Sequence, residues 1–176
     1  MKLGIIVSST RPNRQGGTIG TWVQKLAQEA GHEATLLDLA VIDLPFLDEP
    51  EIPMAGNYQN DHTRQWAETV KAYDGFVIVT AEYNHSYPAP LKNALDTLYA
   101  EWLHKPVGFV GYGVKGGVRA IEHLRGVVAN LKMRVASNEA SLMLFQQRDE
   151  QGNFVPKESD IKAVHDMLSE VAELGK

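Results

Sequence analysis

The sequence predicts an α/β fold: a five-stranded parallel sheet covered by helices on both faces, built by one domain of residues 1–176. Three observations lead there. Short apolar runs alternate five times with segments of helical spacing. The strongest runs, Leu3–Val7, Gly75–Thr80 and Pro106–Gly111, lack the polar alternation of a half-exposed strand and so read as strands buried on both faces. No repeat, low-complexity tract or linker divides the 176 residues, an ordinary length for one domain.

The elements follow in order. Leu3–Val7 is too short for a helix and stops at Ser8-Ser9-Thr10. Thr18–Ala30 has helical spacing in Ile19, Trp22, Val23, Leu26, Ala27 and Ala30, and Gly31 ends it. Ala34–Leu39 is a second strand, and residues 40–60, rich in Pro, Asp, Glu, Asn and Gly, form a long loop. Thr63–Tyr73 is a helix with Trp66, Ala67, Val70 and Tyr73 on one side, followed by the strand Gly75–Thr80. A helix from Ala89 to Leu103, the strand Pro106–Gly111 and a helix over 117–131 come next. Met133–Ala136 is a short fifth strand that Leu142–Phe145 continues, and Asp149–Asn153 is a turn. Ser159 caps a last helix whose Ile161, Val164, Leu168, Val171 and Leu174 face inward.

Composition removes several function classes. A net charge of −5 argues against a dedicated nucleic-acid binder. The absence of cysteine excludes disulfides, thiolate nucleophiles and Cys-ligated metal centres. The N-terminal apolar stretch is too short for an export signal and no run approaches the ~20 residues of a membrane span, so the expected location is cytoplasmic. The six histidines include no i, i+4 pair, and no Gly-x-Ser-x-Gly elbow is present.

Parallel folds of this kind bind ligands beyond the carboxyl ends of the strands. The loop after the first strand, "SSTRPNRQGGTIG", is hydroxyl-rich and basic and opens a helix, which suits an anion. Ser9, Thr10 and Thr18 can donate hydrogen bonds to a phosphate, and Arg11 and Arg14 can neutralise it. Neither the Walker tripeptide nor the full dinucleotide glycine fingerprint is present, so one terminal phosphate fits better than a bridging pyrophosphate; Asp38 would suit a ribose hydroxyl. The loop after the third strand, "TAEYNHSYPAPLKNALD", surrounds one point with Tyr83, Tyr87 and Asn84 and stiffens it with Pro88 and Pro90, as a wall for a flat heteroaromatic ring requires. The loop after the fourth strand, "GYGVKGGVRA", has Gly113, Gly116 and Gly117, which allow close backbone approach and leave N–H groups for negative charge on such a ring.

These residues resemble the NADPH-dependent FMN reductase family. Glu82, Tyr83, Asn84, Pro88, Leu91, Lys92, Asn93, Ala94 and Asp96 match its central motif, with Ala81 where the family usually has Pro; Ser9 and Arg11 match its phosphate loop, with Ser8 where Gly is usual. The resemblance runs over about Leu3 to Leu131. It implies a flavodoxin-like three-layer sandwich with strand order 2-1-3-4-5. It also implies FMN as cofactor, its phosphate held by Ser9, Arg11, Thr18 and Ile19. Ala81, Glu82, Tyr83, Asn84 and Tyr87 would line the ring, and Tyr112, Gly113, Gly116 and Gly117 would close its pyrimidine side. The implied activity is ping-pong transfer of hydride from NADPH or NADH to the flavin and on to a quinone, azo compound, flavin or similar acceptor, with no catalytic side chain and no metal. A homodimer or homotetramer is implied as well, for which Leu91, Leu95, Leu98, Tyr99, Trp102 and Leu103 offer an apolar stripe. An electron carrier without nicotinamide turnover and a non-flavin phosphate-ligand protein or hydrolase are the alternatives. Arg14, Lys115 and Arg119 are candidates for a nicotinamide 2′-phosphate.

Overall fold

The computed structural model describes residues 1–176 with their side chains. Five parallel strands stand in the order β2-β1-β3-β4-β5: β1 Lys2–Val7, β2 Glu33–Asp38, β3 Gly75–Ala81, β4 Pro106–Gly113 and β5 Arg134–Met143. The helices are α1 Gly16–Glu29, α2 Leu39–Ile42, α3 Asp61–Lys71, α4 Ala89–Asp96, α5 Val118–Asn130 and α6 Glu158–Leu174. None is long and apolar enough to cross a membrane.

The strand pleat sorts side chains onto two cores. Ile6, Phe76, Ile78, Val107 and Phe109 face α3, α4 and α5, where Trp66 and Trp102 fill the space beside Phe76. Leu3, Ile5, Val77, Val79 and Val110 face α1 and α6, with Ile19, Val23, Val164 and Met167 against them. β3 is buried at every residue, and β1 and β4 at all but one each, as their unbroken apolar runs require; β2 and β5, at the edges, alternate with exposed residues.

Three expectations from the sequence are corrected. The helix after β3 ends at Asp96 rather than Leu103, and a 3-10 turn at Ala100–Trp102 follows. Its last carbonyls accept from elsewhere: Asn93 O from Thr97 Oγ1 at 2.7 Å, Ala94 O from the Trp66 indole at 2.9 Å and Leu95 O from the Trp102 indole at 3.1 Å. Its apolar stripe faces the protein's own core, with Leu91, Leu95, Leu98 and Trp102 at most 1% exposed, so it is not a surface for a partner. The final helix begins at Glu158, and Ser159 does not cap it; Asp160 reaches back to accept from the Lys157 N–H at 2.8 Å. β5 is one ten-residue strand rather than two pieces. Its register slips between Val107 and Phe109, and the polar Ser137–Glu139 segment that disguised it is satisfied from both sides. Arg125 donates to Ala136 O, Ser137 O and Glu139, while Glu170 accepts from the Ser137 and Asn138 N–H groups. Those N–H groups, Ser137's foremost, hold the Glu170 carboxyl below its usual range.

The loop over 40–60 also contains structure: α2 and a 3-10 turn at Pro53–Ala55. Asn93 ties this excursion down, donating to Pro45 O at 2.7 Å and accepting from Leu47 N at 2.9 Å. Gly31 ends α1 with φ +85°, as its position predicts.

Gly117 turns the chain from β4 into α5 at φ +75°, and a Cβ there would lie 2.6 Å from the Tyr112 nitrogen and 2.8 Å from the Gly111 Cα. Gly117→Ala is expected to cost at least about 2 kcal/mol, because backbone on both sides must move. Gly126, inside α5 with open space around it, provides the contrast. Gly126→Ala should stabilise by roughly 0.5–1 kcal/mol through helix propensity. Denaturant unfolding of the two variants checks both signs.

Candidate functional site

Strand order reverses between β1 and β3, so their loops diverge and open a crevice at the carboxyl edge of the sheet. The loop after β1 leaves the sheet at Ser8, whose N–H donates to Val79 O at 3.0 Å. The next backbone N–H to find an acceptor in the protein is that of Ile19, bonded to Gln15 O at 3.1 Å. The donors between them, up to the first turn of α1, are free for a ligand.

Two buried hydroxyls hold this loop. Ser8 Oγ accepts from the Ala81 N–H and donates to Thr80 Oγ1, both at 3.4 Å, which joins the loop to the end of β3. Tyr112, at the end of β4, donates its hydroxyl to Ser9 Oγ at 2.8 Å. Burial pushes the Tyr112 phenol up to about 12, against the opposing pull of the Ser9 hydrogen bond, so it stays a donor at neutral pH. Ser9 accepts from Tyr112 and keeps its own proton for an incoming anion. α1 starts flush against this pair: a Cβ on Gly16 would lie 2.4 Å from Ser9 Oγ and 2.7 Å from the Tyr112 oxygen.

A cleft of about 160 Å³ lies between the loops after β1, β3 and β4, lined by Arg11, Arg14, Gln15, Ala81, Glu82, Tyr83, Tyr112 and Gly113, with Leu144 and Arg148 from beyond β5. Tyr83 projects from a two-residue turn: its N–H and C=O pair with Ser86 at 2.8 and 3.0 Å. Asn84 and His85 between them have φ of +49° and +68°, both left-handed, an arrangement that Asn adopts readily. At the neighbouring loop, the N–H groups of Val114, Lys115 and Gly117 find no acceptor in the protein.

Two ion pairs cancel charge around the cleft. Arg14 Nη2 lies 2.5 Å from Asp38 Oδ2, and Asp38 also accepts from Ala40 N, capping α2. Glu82, nearly buried, is gripped by Arg119 through Nε at 2.7 Å, Nη2 and the backbone N–H at 3.3 Å. Arg14, Asp38 and Arg119 thus have internal partners, while the buried Arg14 Nε has none.

The structure brings together Arg11, Ala81, Glu82, Tyr83, Tyr112 and Gly113 of the predicted site residues at the cleft, with Ser9 directly behind Tyr112. Thr18 is exposed on the first turn of α1, whereas the Ile19 side chain is buried in the α1–α6 core. Asn84 sits at the exposed tip of its turn. Tyr87 packs against the opposite core, away from the cleft, and burial raises its pKa. Gly116 and Gly117 are buried turn residues with φ +75° each. Gln15, Leu144 and Arg148 escaped the sequence reading. The turn signal at Asp149–Asn153 was visible, but nothing in it says that the residue before the turn meets β1 and β3.

Sheet order and anion cradle together define a flavodoxin-like protein of the kind that binds a phosphorylated cofactor at the β1/β3 switch point. The sequence profile of the NADPH-dependent FMN reductases matches residues 1–147, and the chain belongs to that family. An NAD(P)H-dependent FMN reductase of Schizosaccharomyces pombe is 41% identical over 154 residues, 86% of this chain and 77% of that one. A quinone reductase of Escherichia coli is 30% identical, covering 74% of this chain and 70% of its own. Among solved structures, a flavoenzyme NAD(P)H:(acceptor) oxidoreductase of Paracoccus denitrificans superposes with a TM-score of 0.77 at 20% identity, over 98% of this chain and 97% of that chain. Flavodoxin 1 of Bacillus cereus gives 0.60 at 13% identity over 98% of both chains. The two structures share the fold with this chain.

The Tyr112 proton is held more tightly in the folded chain than in the unfolded one, where the phenol returns to a value near 10. Ionising it therefore destabilises the folded chain: stability is unaffected below pH ~10 and falls by about 2–3 kcal/mol as pH rises through about 12. Tyr112→Phe is expected to lose about 1 kcal/mol at neutral pH with the Ser9 bond, and to show a flatter fall in stability between pH 10 and 12. Equal alkaline slopes in denaturant unfolding of both proteins would contradict this.

Proposed function

We propose that this chain is an FMN-dependent NAD(P)H oxidoreductase that works in two half-reactions of the ping-pong type, passing electrons to a quinone, azo compound, flavin or similar small acceptor. The observation that carries this is the run of free N–H groups from Ser9 to Thr18 beside a buried serine hydroxyl, at the mouth of a cleft between three loops. That donor set fits a phosphate monoester: many N–H donors, a hydroxyl, the positive end of α1 and the unpaired Arg11. Bound there, FMN would supply the two-electron chemistry of the reaction.

The protein's own residues bind and orient. Ser9 and the loop N–H groups hold the phosphate, with Arg11 as the counter-charge. Ala81 and Tyr83 give the ring edge a wall, stiffened by the Tyr83–Ser86 pairing. The free N–H groups of Val114, Lys115 and Gly117 offer positive dipole ends where negative charge develops. The Glu82–Arg119 pair fixes the loop after β3 to the start of α5 and removes a negative charge that would oppose that development. The acceptor classes rest on relatives named as a quinone reductase of Escherichia coli and an NADPH azoreductase of a Bacillus strain. A cytoplasmic location belongs to the same reading.

Purified protein titrated with FMN should bind it, and NADPH should bleach the bound flavin without a partner protein. Binding without bleaching would indicate an electron carrier, and no binding would end the flavin reading. Arg11→Ala is expected to weaken FMN binding about tenfold or more; unchanged affinity would remove Arg11 from the phosphate site.

Self-association to a homodimer or homotetramer is part of the proposal. Its surface is the excursion over residues 41–54, where Val41, Phe46, Ile52 and Met54 are all exposed, rather than the buried stripe of α4. Light scattering at micromolar concentration should give a mass of two or four chains; a monomer would refute it.

A further inference from the structure

Four charged side chains line the cleft: Arg11, Arg14, Glu82 and Arg148. Asp38 neutralises Arg14 and Arg119 neutralises Glu82. Arg11 and Arg148 remain, each with a single hydrogen bond to a carbonyl of its own loop, Pro12 O and Gly152 O, both at 3.3 Å. The rest of each guanidinium is free. Arg11 arises from the loop after β1 and Arg148 from beyond β5, three strand spacings or roughly 14 Å across the sheet. Arg11 and Arg148 thus come to the cleft from opposite sides of β3 and β4.

Arg148 is also carried on a braced arm. Gln147 beside it is buried and donates to Asp160 at 3.0 Å, and its carbonyl accepts from Val155 N at 2.9 Å. Arg148 bridges to Phe154, whose ring meets Trp22 of α1 edge-on at 5.4 Å. This holds a free, planar fork of donors at the cleft, the geometry that binds phosphate oxygens in pairs. Arg148 is the first residue beyond the family match at 1–147, so the family pattern does not describe it.

We propose that Arg148 is a second anion subsite of the cleft and takes a phosphate group of the nicotinamide dinucleotide, while the cofactor's own phosphate occupies the cradle after β1. This rests on the function proposed above. Arg14 and Arg119 each have their charge neutralised by a carboxylate, whereas Arg148 has no such partner.

The test uses FMN-loaded wild type, Arg148→Ala and Arg148→Lys. Calorimetry measures binding of NADP⁺, NAD⁺ and adenosine 2′,5′-bisphosphate, and flavin fluorescence measures FMN affinity. Arg148→Ala should bind NADP⁺ roughly tenfold more weakly with FMN affinity unchanged, and Arg148→Lys should recover part of the loss. A loss confined to NADP⁺ and the bisphosphate places the 2′-phosphate on Arg148; an equal loss for NADP⁺ and NAD⁺ places the pyrophosphate there. Either upholds the subsite. Unchanged binding of all three nucleotides overturns it, and so does a loss of FMN affinity, which would assign Arg148 to the cofactor phosphate. Wild-type protein that takes up no FMN would instead sink the flavin reading, and the subsite with it.

Discussion

The central strands of this sheet are buried on both faces, and a polar side chain in the middle of such a strand finds only apolar neighbours. Polar chemistry is forced to the strand ends. At the carboxyl edge β1 runs into Ser8-Ser9, β3 into Thr80-Ala81-Glu82 and β4 into Tyr112-Gly113, and there the buried polar groups satisfy one another. The bonds from Ser8 to the end of β3 and from Tyr112 to Ser9 link three loops that would otherwise move independently. A ligand bound by one loop therefore meets a surface prepared by all three.

Charge is managed by the same economy of position. Six ionised side chains come close to the cleft: two internal pairs, Arg14–Asp38 and Glu82–Arg119, plus Arg11 and Arg148, which have no carboxylate partner. The pairs do structural work: Asp38 also starts α2, and Arg119 joins the loop after β3 to the first turn of α5. Their mutual neutralisation lets one acidic chain of net charge −5 keep a locally cationic rim at Arg11 and Arg148.

Much of the fold was legible because burial writes itself into sequence. The runs at Leu3–Val7, Gly75–Thr80 and Pro106–Gly111 have one physical reading, and the helices α1, α3 and α6 announce their inner faces by spacing. β5 was less legible. Its middle, Ser137-Asn138-Glu139, is polar because Arg125 and Glu170, distant in sequence, satisfy it. The end of α4 was missed for a similar reason, since the indoles that take its carbonyls belong to Trp66 and Trp102.

For the site, the sequence alone determined which residue types gather at the strand ends: hydroxyls and arginines after the first strand, a tyrosine and prolines after the third, glycines after the fourth. Local chemistry decides these, because an anion cradle and a tight turn need particular residues at particular positions. Which of the charges are free was decided only by the tertiary structure. Arg11, Arg14, Arg119 and Arg148 are alike as letters, and they differ because Asp38 and Glu82 lie within reach of two of them. An ion pair depends on distances of a few ångströms between segments far apart in the chain, and those distances exist only once the sheet has closed.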